Sequence, residues 1–268
     1  LRKQYRIAVI SRGYKRKSRG LREVTLTSTA EEVGDEPKQI KQKYPEVRFV
    51  VDGNRRRAMR YLLALPEGER PDVVLLDDGF QHRYVHPSFS ILLIDAQREL
   101  HDDELLPLGG LREPATARYR ADCIILTKCP HDMQPITLRI MQRNLDLYAH
   151  QEIFFSRICY QQPRAVRTLL GEAASPLPKD ALVIALSGIA SPGLFFTYLG
   201  ERYELIDQLV YPDHHHFRPK DFTAISERWQ ELCEQYSGRP VYIVCTEKDA
   251  VRFTDSLGEL PAELVKQL

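Results

Sequence analysis

Two adjacent carboxylates, Asp77 and Asp78, close the apolar run Val73–Leu76 and are followed by Gly79. An apolar strand ending in Asp is the pattern by which nucleotide-using α/β enzymes hold Mg2+, directly or through water. Asp-Gly is also an ordinary strand-ending turn, because both residues tolerate left-handed backbone. The second acid, with Gln81, His82 and Arg83 close behind, favours the chemical reading. An Asp nucleophile of the phosphatase kind would call for an alternating D-x-D, which is absent here.

Other stretches could complete such a site. Ser11–Arg12–Gly13–Tyr14 continues into Lys15–Gly20; its glycine permits close backbone approach, and Arg12 can fork two hydrogen bonds to a phosphate, while a solvated basic loop is the plain alternative. Gly34–Asp35–Glu36–Pro37 offers a carboxylate that could accept a hydroxyl proton, or simply an acidic helix start. Gly109–Gly110 precedes Arg112 and Glu113, a cation for phosphate beside an acid for a metal, or a surface ion pair. Thr127–Lys128 stands where nucleotide-binding α/β proteins often contact a base, Thr246–Asp249 repeats the pattern of polar residues at a strand exit, and Leu186–Pro192 joins a strand to a helix where backbone N–H groups can meet an anion. In Asp213–His214–His215–His216, three consecutive imidazoles point apart and do not converge on one zinc ion. An Asp–His pair with one ring oriented for a charge role suits this run better.

The elements that must carry these groups are legible as short Val-, Ile- and Leu-rich runs from Tyr5, Glu46, Asp72, Ser90 and Ala121, with helical spacing over Asn54–Leu65 and Pro135–Tyr148. Near-continuous apolarity over so short a length is what a parallel strand covered on both faces needs. In the second helix Ile136, Leu138, Met141 and Leu145 are expected to share a core face. A connector rich in Pro, Gln, Ala and Ser interrupts the series, and a second one follows. There Pro219 starts a helix whose Phe222, Ile225, Trp229, Leu232 and Tyr236 fall on one stripe. The fold class expected is α/β: a doubly wound, mostly parallel sheet core over residues 1–160, a hinge at 161–180, and a smaller α/β lobe at 181–268.

Composition is that of an ordinary globular chain: 268 residues, 43% hydrophobic and 28% charged, with a net charge of +1. The first 22 residues nevertheless hold nine Lys or Arg and no acid, a local basicity suited to phosphate or an anionic membrane surface. Five cysteines without a C-x-x-C pair argue against a zinc or disulfide framework. No apolar run approaches the ~18 residues that span a bilayer, so membrane contact is expected to be peripheral.

In order along the chain, SRGYKRKSRG, GDEP, DDGFQHR, LLPLGGLREP, ADCIILTK, LSGIASPGLFF, DHHHF and TEKDAVR resemble the tetraacyldisaccharide 4'-kinases, the lipid A 4'-kinases of Gram-negative bacteria. The resemblance runs from residue 11 to residue 252. It implies a P-loop-type core with a smaller second lobe, and transfer of the ATP γ-phosphate to the 4'-hydroxyl of a disaccharide 1-phosphate. Asp35 would activate that hydroxyl, with His214 as its partner from the other lobe. Asp77 and Asp78 would lie around Mg2+ with Glu113 near it, while Arg12, Tyr14, Gln81, His82 and Arg112 would contact substrate or phosphate. The implied partners are the lipid A disaccharide 1-phosphate and, peripherally, the cytoplasmic face of the inner membrane, with no role for nucleic acid. A G-x-x-x-x-G-K-[ST] loop is not found in residues 1–268, and the sequence opens at Leu1. The expectation is a piece of a longer protein that by itself binds ATP poorly and turns over little. The rival expectation is a non-catalytic protein of the same fold that holds an anionic lipid or nucleotide.

Overall fold

Val- and Ile-rich runs too short to span more than one sheet layer pair side by side in three groups. The computed structural model describes residues 2–98, 100, 103–130, 132–166, 176–213, 215 and 217–254. In the first group β1 (Ile7–Ser11) lies between β3 (Arg48–Val51) and β4 (Val73–Leu76), all parallel, and β2 (Arg22–Val24) adds antiparallel to β3. In the second, β5 (Ile91–Asp95), β6 (Cys123–Thr127) and β7 (Glu152–Phe155) run parallel. In the third, β8 (Leu182–Ser187) is central between β9 (Glu204–Val210) and β10 (Val241–Cys245), again parallel. Parallel pairing requires crossovers, and helices supply most of them.

In the first group α1 (Ala30–Val33) and α2 (Asp35–Lys43) lead into β3, and α3 (Arg55–Leu63) leads from it. The start of α1 is fixed by a reciprocal capping box, Thr29 accepting from the Glu32 N–H while the Glu32 carboxylate accepts from the Thr29 N–H. Asn54 caps α3 through the Arg57 N–H. In the second group α4 (Pro135–Asn144) crosses from β6 to β7. In the third, α5 (Gly193–Gly200), α6 (Pro219–Gln235) and α7 (Glu247–Thr254) alternate with the strands. β8 is buried along its whole length, as the centre of a covered parallel sheet should be. The expected stripe of α6 packs on it: Phe222, Ile225 and Leu232 are buried, and Trp229 and Tyr236 join the same cluster.

Two expectations of burial are not met. In α4, Leu145 is buried just past the helix and Met141 packs beside it, but Ile136 in the first turn lies beyond that core cluster and is exposed. β4 and β5 form the outer edges of the first and second sheets, and edge position leaves Leu75 and Leu93 exposed, the latter 63%. No disulfide joins cysteines among the described residues, and Cys123 and Cys129 are buried free thiols. No helix among the described residues is long and apolar enough to cross a membrane.

The first and third groups meet where α2 packs against α7. Lys248 reaches Glu36 at 3.4 Å, and Glu247 meets Lys43 at 3.2 Å and Arg164 at 3.0 Å. These pairs are partly exposed, so they set alignment more than they add stability.

Candidate active site

The carboxyl ends of β1 and β4 open on the same side because the strands are parallel neighbours, Ile10 standing opposite Leu76. Ser11 therefore ends beside Asp77, whose carboxylate it meets with its hydroxyl. Burial pushes the Asp77 carboxyl above its ordinary value, with Glu36 and Asp78 adding to the rise and the Ser11 hydroxyl opposing it. The next residue, Asp78, adopts left-handed backbone at φ 45°, which turns the chain sharply after the strand. Its carboxylate takes both hydrogen bonds of Arg112 Nη1, at 3.0 and 3.1 Å, in the open.

The start of α2, which carries Asp35, is brought up to the loop after β1 through a glycine contact. Gly13, at φ +67°, and Gly34, at φ +98°, lie against one another, so the loop after β1 abuts the start of α2. A Cβ on Gly13 would fall 2.7 Å from the Val33 carbonyl oxygen. Gly13→Ala is expected to destabilise the fold by about 1–3 kcal/mol, since it adds a clash to a left-handed conformation. A urea midpoint equal to wild type would contradict that. Asp35 occupies the first helical position of α2, where the helix dipole favours an anion. Its side chain is 10% exposed and accepts from Arg252 Nε at 2.7 Å.

Arg55 is a site residue that sequence reading missed. In a run of three arginines opening α3 it reads as surface charge, yet it is buried, and its charge is felt by Arg12, Asp78 and Asp77. Burial, then Arg12, pushes its guanidinium pKa down, and the carboxylates oppose this. Its Nε and the buried Nε2 of His82 have no hydrogen-bond partner among the described residues. Burial, then Arg55, lowers the His82 pKa, which favours a neutral ring. Buried polar atoms without partners are uncommon and costly; here one belongs to an arginine within the field of Asp77 and Asp78 and the other to the histidine beside that arginine.

The remaining sequence-derived residues divide. Arg12 is exposed and near Arg55. Tyr14 is exposed with the Lys15 ammonium over its ring at 5.7 Å, and Gln81 is exposed. Glu113 engages Arg120 at 2.5 Å, and that arginine also lies over the Phe80 ring. Consistent with this, Asp77, Asp78 and Glu113 do not converge as a three-ligand cluster, and no other such metal-holding set occurs among the described residues. His214 lies outside the described residues. Its neighbour His215 pairs through Nε2 with Asp221 at 2.9 Å and stacks on Tyr211, so the acid of the Asp–His pair comes from α6. Part of the basic loop is structural: Arg16 donates to the Gly20 carbonyl at 2.6 Å and Lys17 to Glu31 at 2.5 Å.

Asp77 also yields a pH prediction. Its carboxyl is raised in the folded protein, so the native state binds more protons than the unfolded one between the ordinary value of 3.8 and the raised value. Its contribution to stability therefore falls as pH rises through that window, and at neutral pH the ionised group is a net cost. Asp77→Asn is expected to raise the melting temperature of the nucleotide-free protein at neutral pH and to remove this part of its pH dependence. A lower melting temperature at neutral pH would contradict the assignment.

The comparisons with known proteins agree with one another. A sequence profile described as tetraacyldisaccharide-1-P 4'-kinase matches residues 1–265. A tetraacyldisaccharide 4'-kinase of Porphyromonas gingivalis is 46% identical over 264 residues, spanning 98% of this chain and 72% of the relative. That of Parabacteroides distasonis is 44% identical over 275 residues, spanning 100% of this chain and 72% of its own. The crystal structure of the "apo" form of LpxK from Aquifex aeolicus in complex with ATP is similar at a TM-score of 0.63 and 28% identity, covering 94% of this chain and 71% of that one.

Proposed function

We propose a phosphoryl-transfer function for this chain, which belongs to the tetraacyldisaccharide-1-P 4'-kinase family. In this reading the γ-phosphate of ATP passes to the 4'-hydroxyl of a tetraacyldisaccharide 1-phosphate, a step of lipid A biosynthesis. One observation carries it. A burial-raised carboxylate, Asp77, and its neighbour Asp78 both act on the Arg55 guanidinium, as does Arg12, while Asp35 opens α2. That is an inventory for metal, phosphate and proton in one place.

The donors suit Mg2+, which keeps several waters and takes only one or two carboxylates together with substrate phosphates. Asp77 and Asp78, with the Ser11 hydroxyl, would hold it; burial raises Asp77 most, and the smaller part of the rise, from Glu36 and Asp78, is the charge a cation would relieve. When bound, the ion offsets charge building on the transferred group. Arg12, Arg55 and Arg112 face the phosphates; an arriving phosphate competes with Asp78 for Arg112. Asp35 takes the hydroxyl proton as the acceptor oxygen bonds to the γ-phosphorus and the bond to ADP breaks, with His214 as its partner. Tyr14, Gln81 and His82 contact the acceptor or its phosphate. Two lobes, 1–160 and 181–268 about a hinge at 161–180, bring these groups together, and positioning with electrostatics dominates the rate.

The acceptor is an acylated anion, so the protein is read as peripheral at the cytoplasmic face of the inner membrane. The exposed Leu105, Leu106 and Leu108 close to Arg112 support contact with acyl chains. Residues 1–268 by themselves carry no G-x-x-x-x-G-K-[ST] and are expected to hold ATP weakly. The test is ADP release by the enzyme expressed from its complete reading frame with ATP, Mg2+ and the disaccharide 1-phosphate. Release that depends on the acceptor supports the kinase. Tight acceptor binding with no ADP would instead support a non-catalytic binder.

A further inference from the structure

Asp35 has a neighbour that the mechanism above does not use. Arg252, 217 residues away in sequence, donates its Nε–H to Asp35 Oδ2 at 2.7 Å. The guanidinium is held from behind: Nη1 donates to the Gly188 carbonyl at 3.1 Å and to Asp249 Oδ1 at 3.0 Å. Asp249 is fixed in turn, its Oδ2 accepting from the Gly188 N–H at 3.2 Å and the Thr246 hydroxyl at 2.8 Å. A Cβ on Gly188 would lie 3.0 Å from Asp249 Oδ1 and 3.4 Å from Arg252 Nη1, so bare backbone is what lets the three approach.

The Arg252 side chain is 3% exposed and that of Asp249 is fully buried. Two carboxylates and one guanidinium thus meet in a nearly dry site. Taking such a set out of water is costly, and apolar packing stabilises as well or better. Stability alone is therefore a poor reason for it. What the arrangement supplies is orientation: one oxygen of Asp35 is pinned by a group that cannot itself shift.

We propose that Arg252, anchored by Asp249, is the positioning residue of Asp35. It fixes the carboxylate's orientation towards the acceptor hydroxyl, and it does so only while α7 is docked on α2. The inference rests on Asp35 being the proton acceptor. Docking is aligned by Lys248 with Glu36 and by Glu247 with Lys43, all on the same two helices.

The experiment compares steady-state kinetics of wild type, Asp35→Asn, Arg252→Gln, Arg252→Lys and the Asp35→Asn/Arg252→Gln double variant in the enzyme expressed from its complete reading frame. Misplacing a reacting group costs on the order of 10–100-fold, so Arg252→Gln should lower kcat by that much, with KM for ATP changed less than about twofold. Arg252→Lys should recover part of the rate. The double variant should be no slower than Asp35→Asn, because Arg252 acts through that carboxylate. A residue that merely held the fold would add its own loss. Wild-type kcat in Arg252→Gln, or losses that multiply in the double variant, overturns the proposal. If Arg252→Gln does not fold, Asp249→Asn weakens the anchor by replacing its charged acceptor with a neutral one, and is read against Asp35→Asn by the same criteria. A wild-type rate in Asp35→Asn rejects the proton-acceptor reading first, and this inference with it.

Discussion

Replacing Asp35 by Asn is expected to slow phosphoryl transfer by about 10²–10⁴-fold while leaving ATP affinity near wild type. At about 1.4 kcal/mol per tenfold, this is a barrier increase of roughly 3–5 kcal/mol, the size expected of a positioned proton acceptor. The substitution isolates basicity well. Asn keeps the shape and an oxygen that can still accept from Arg252 Nε, so the contact between α2 and α7 is preserved. Alanine would instead leave a nearly buried guanidinium facing one fewer carboxylate, and a loss of fold would be confused with a loss of chemistry. The measurement is single-turnover transfer beside nucleotide titration. A rate within a few-fold of wild type would show that the proton leaves by another route.

Asp77→Ala should act on a different step. The carboxylate sits at the strand exit with Ser11 and Asp78, where it would share the metal with the nucleotide phosphates. Losing even an outer-shell partner of a metal costs about 10–100-fold in affinity, so a direct ligand should cost at least that much in Mg2+-dependent ATP binding. Binding measured with EDTA present should hardly change, because only the metal-bridged part is removed. The same substitution removes a carboxylate that burial disfavours, so weaker binding should accompany a nucleotide-free fold no less stable than wild type. Equal Mg2+-dependent affinity in wild type and variant would take Asp77 out of the metal site.

The two aspartates were legible in sequence to different degrees. Asp77 follows an apolar run, and a parallel strand with an acid at its exit is a local pattern that topology then places. The helix from Pro219 was equally plain, since proline, an acid in the first turn and a five-residue stripe agree. Asp35 was weaker: GDEP alone is a helix start, and only the set of blocks in order gave it a role. Its pairing with Arg252 was not legible at all. No spacing rule connects residues 217 positions apart, and the arginine sits three residues beyond a run that reads as a polar strand exit. Arg55 was hidden for a related reason, because three consecutive arginines look like a solvated face and only tertiary packing buries one of them. The exposure of Leu75 and Leu93 shows the converse: apolar runs announce strands that suit covered faces without fixing which strands become edges.

The position of the new phosphate on the product decides whether the enzyme is a 4'-kinase. The enzyme from its complete reading frame is incubated with ATP, Mg2+ and tetraacyldisaccharide 1-phosphate, and the lipid is examined by phosphorus–proton correlation NMR. A second phosphomonoester coupled to the proton at the 4' carbon is expected, absent when Asp35 is Asn over the same time. An unmodified lipid, or a phosphate on any other oxygen, would contradict it.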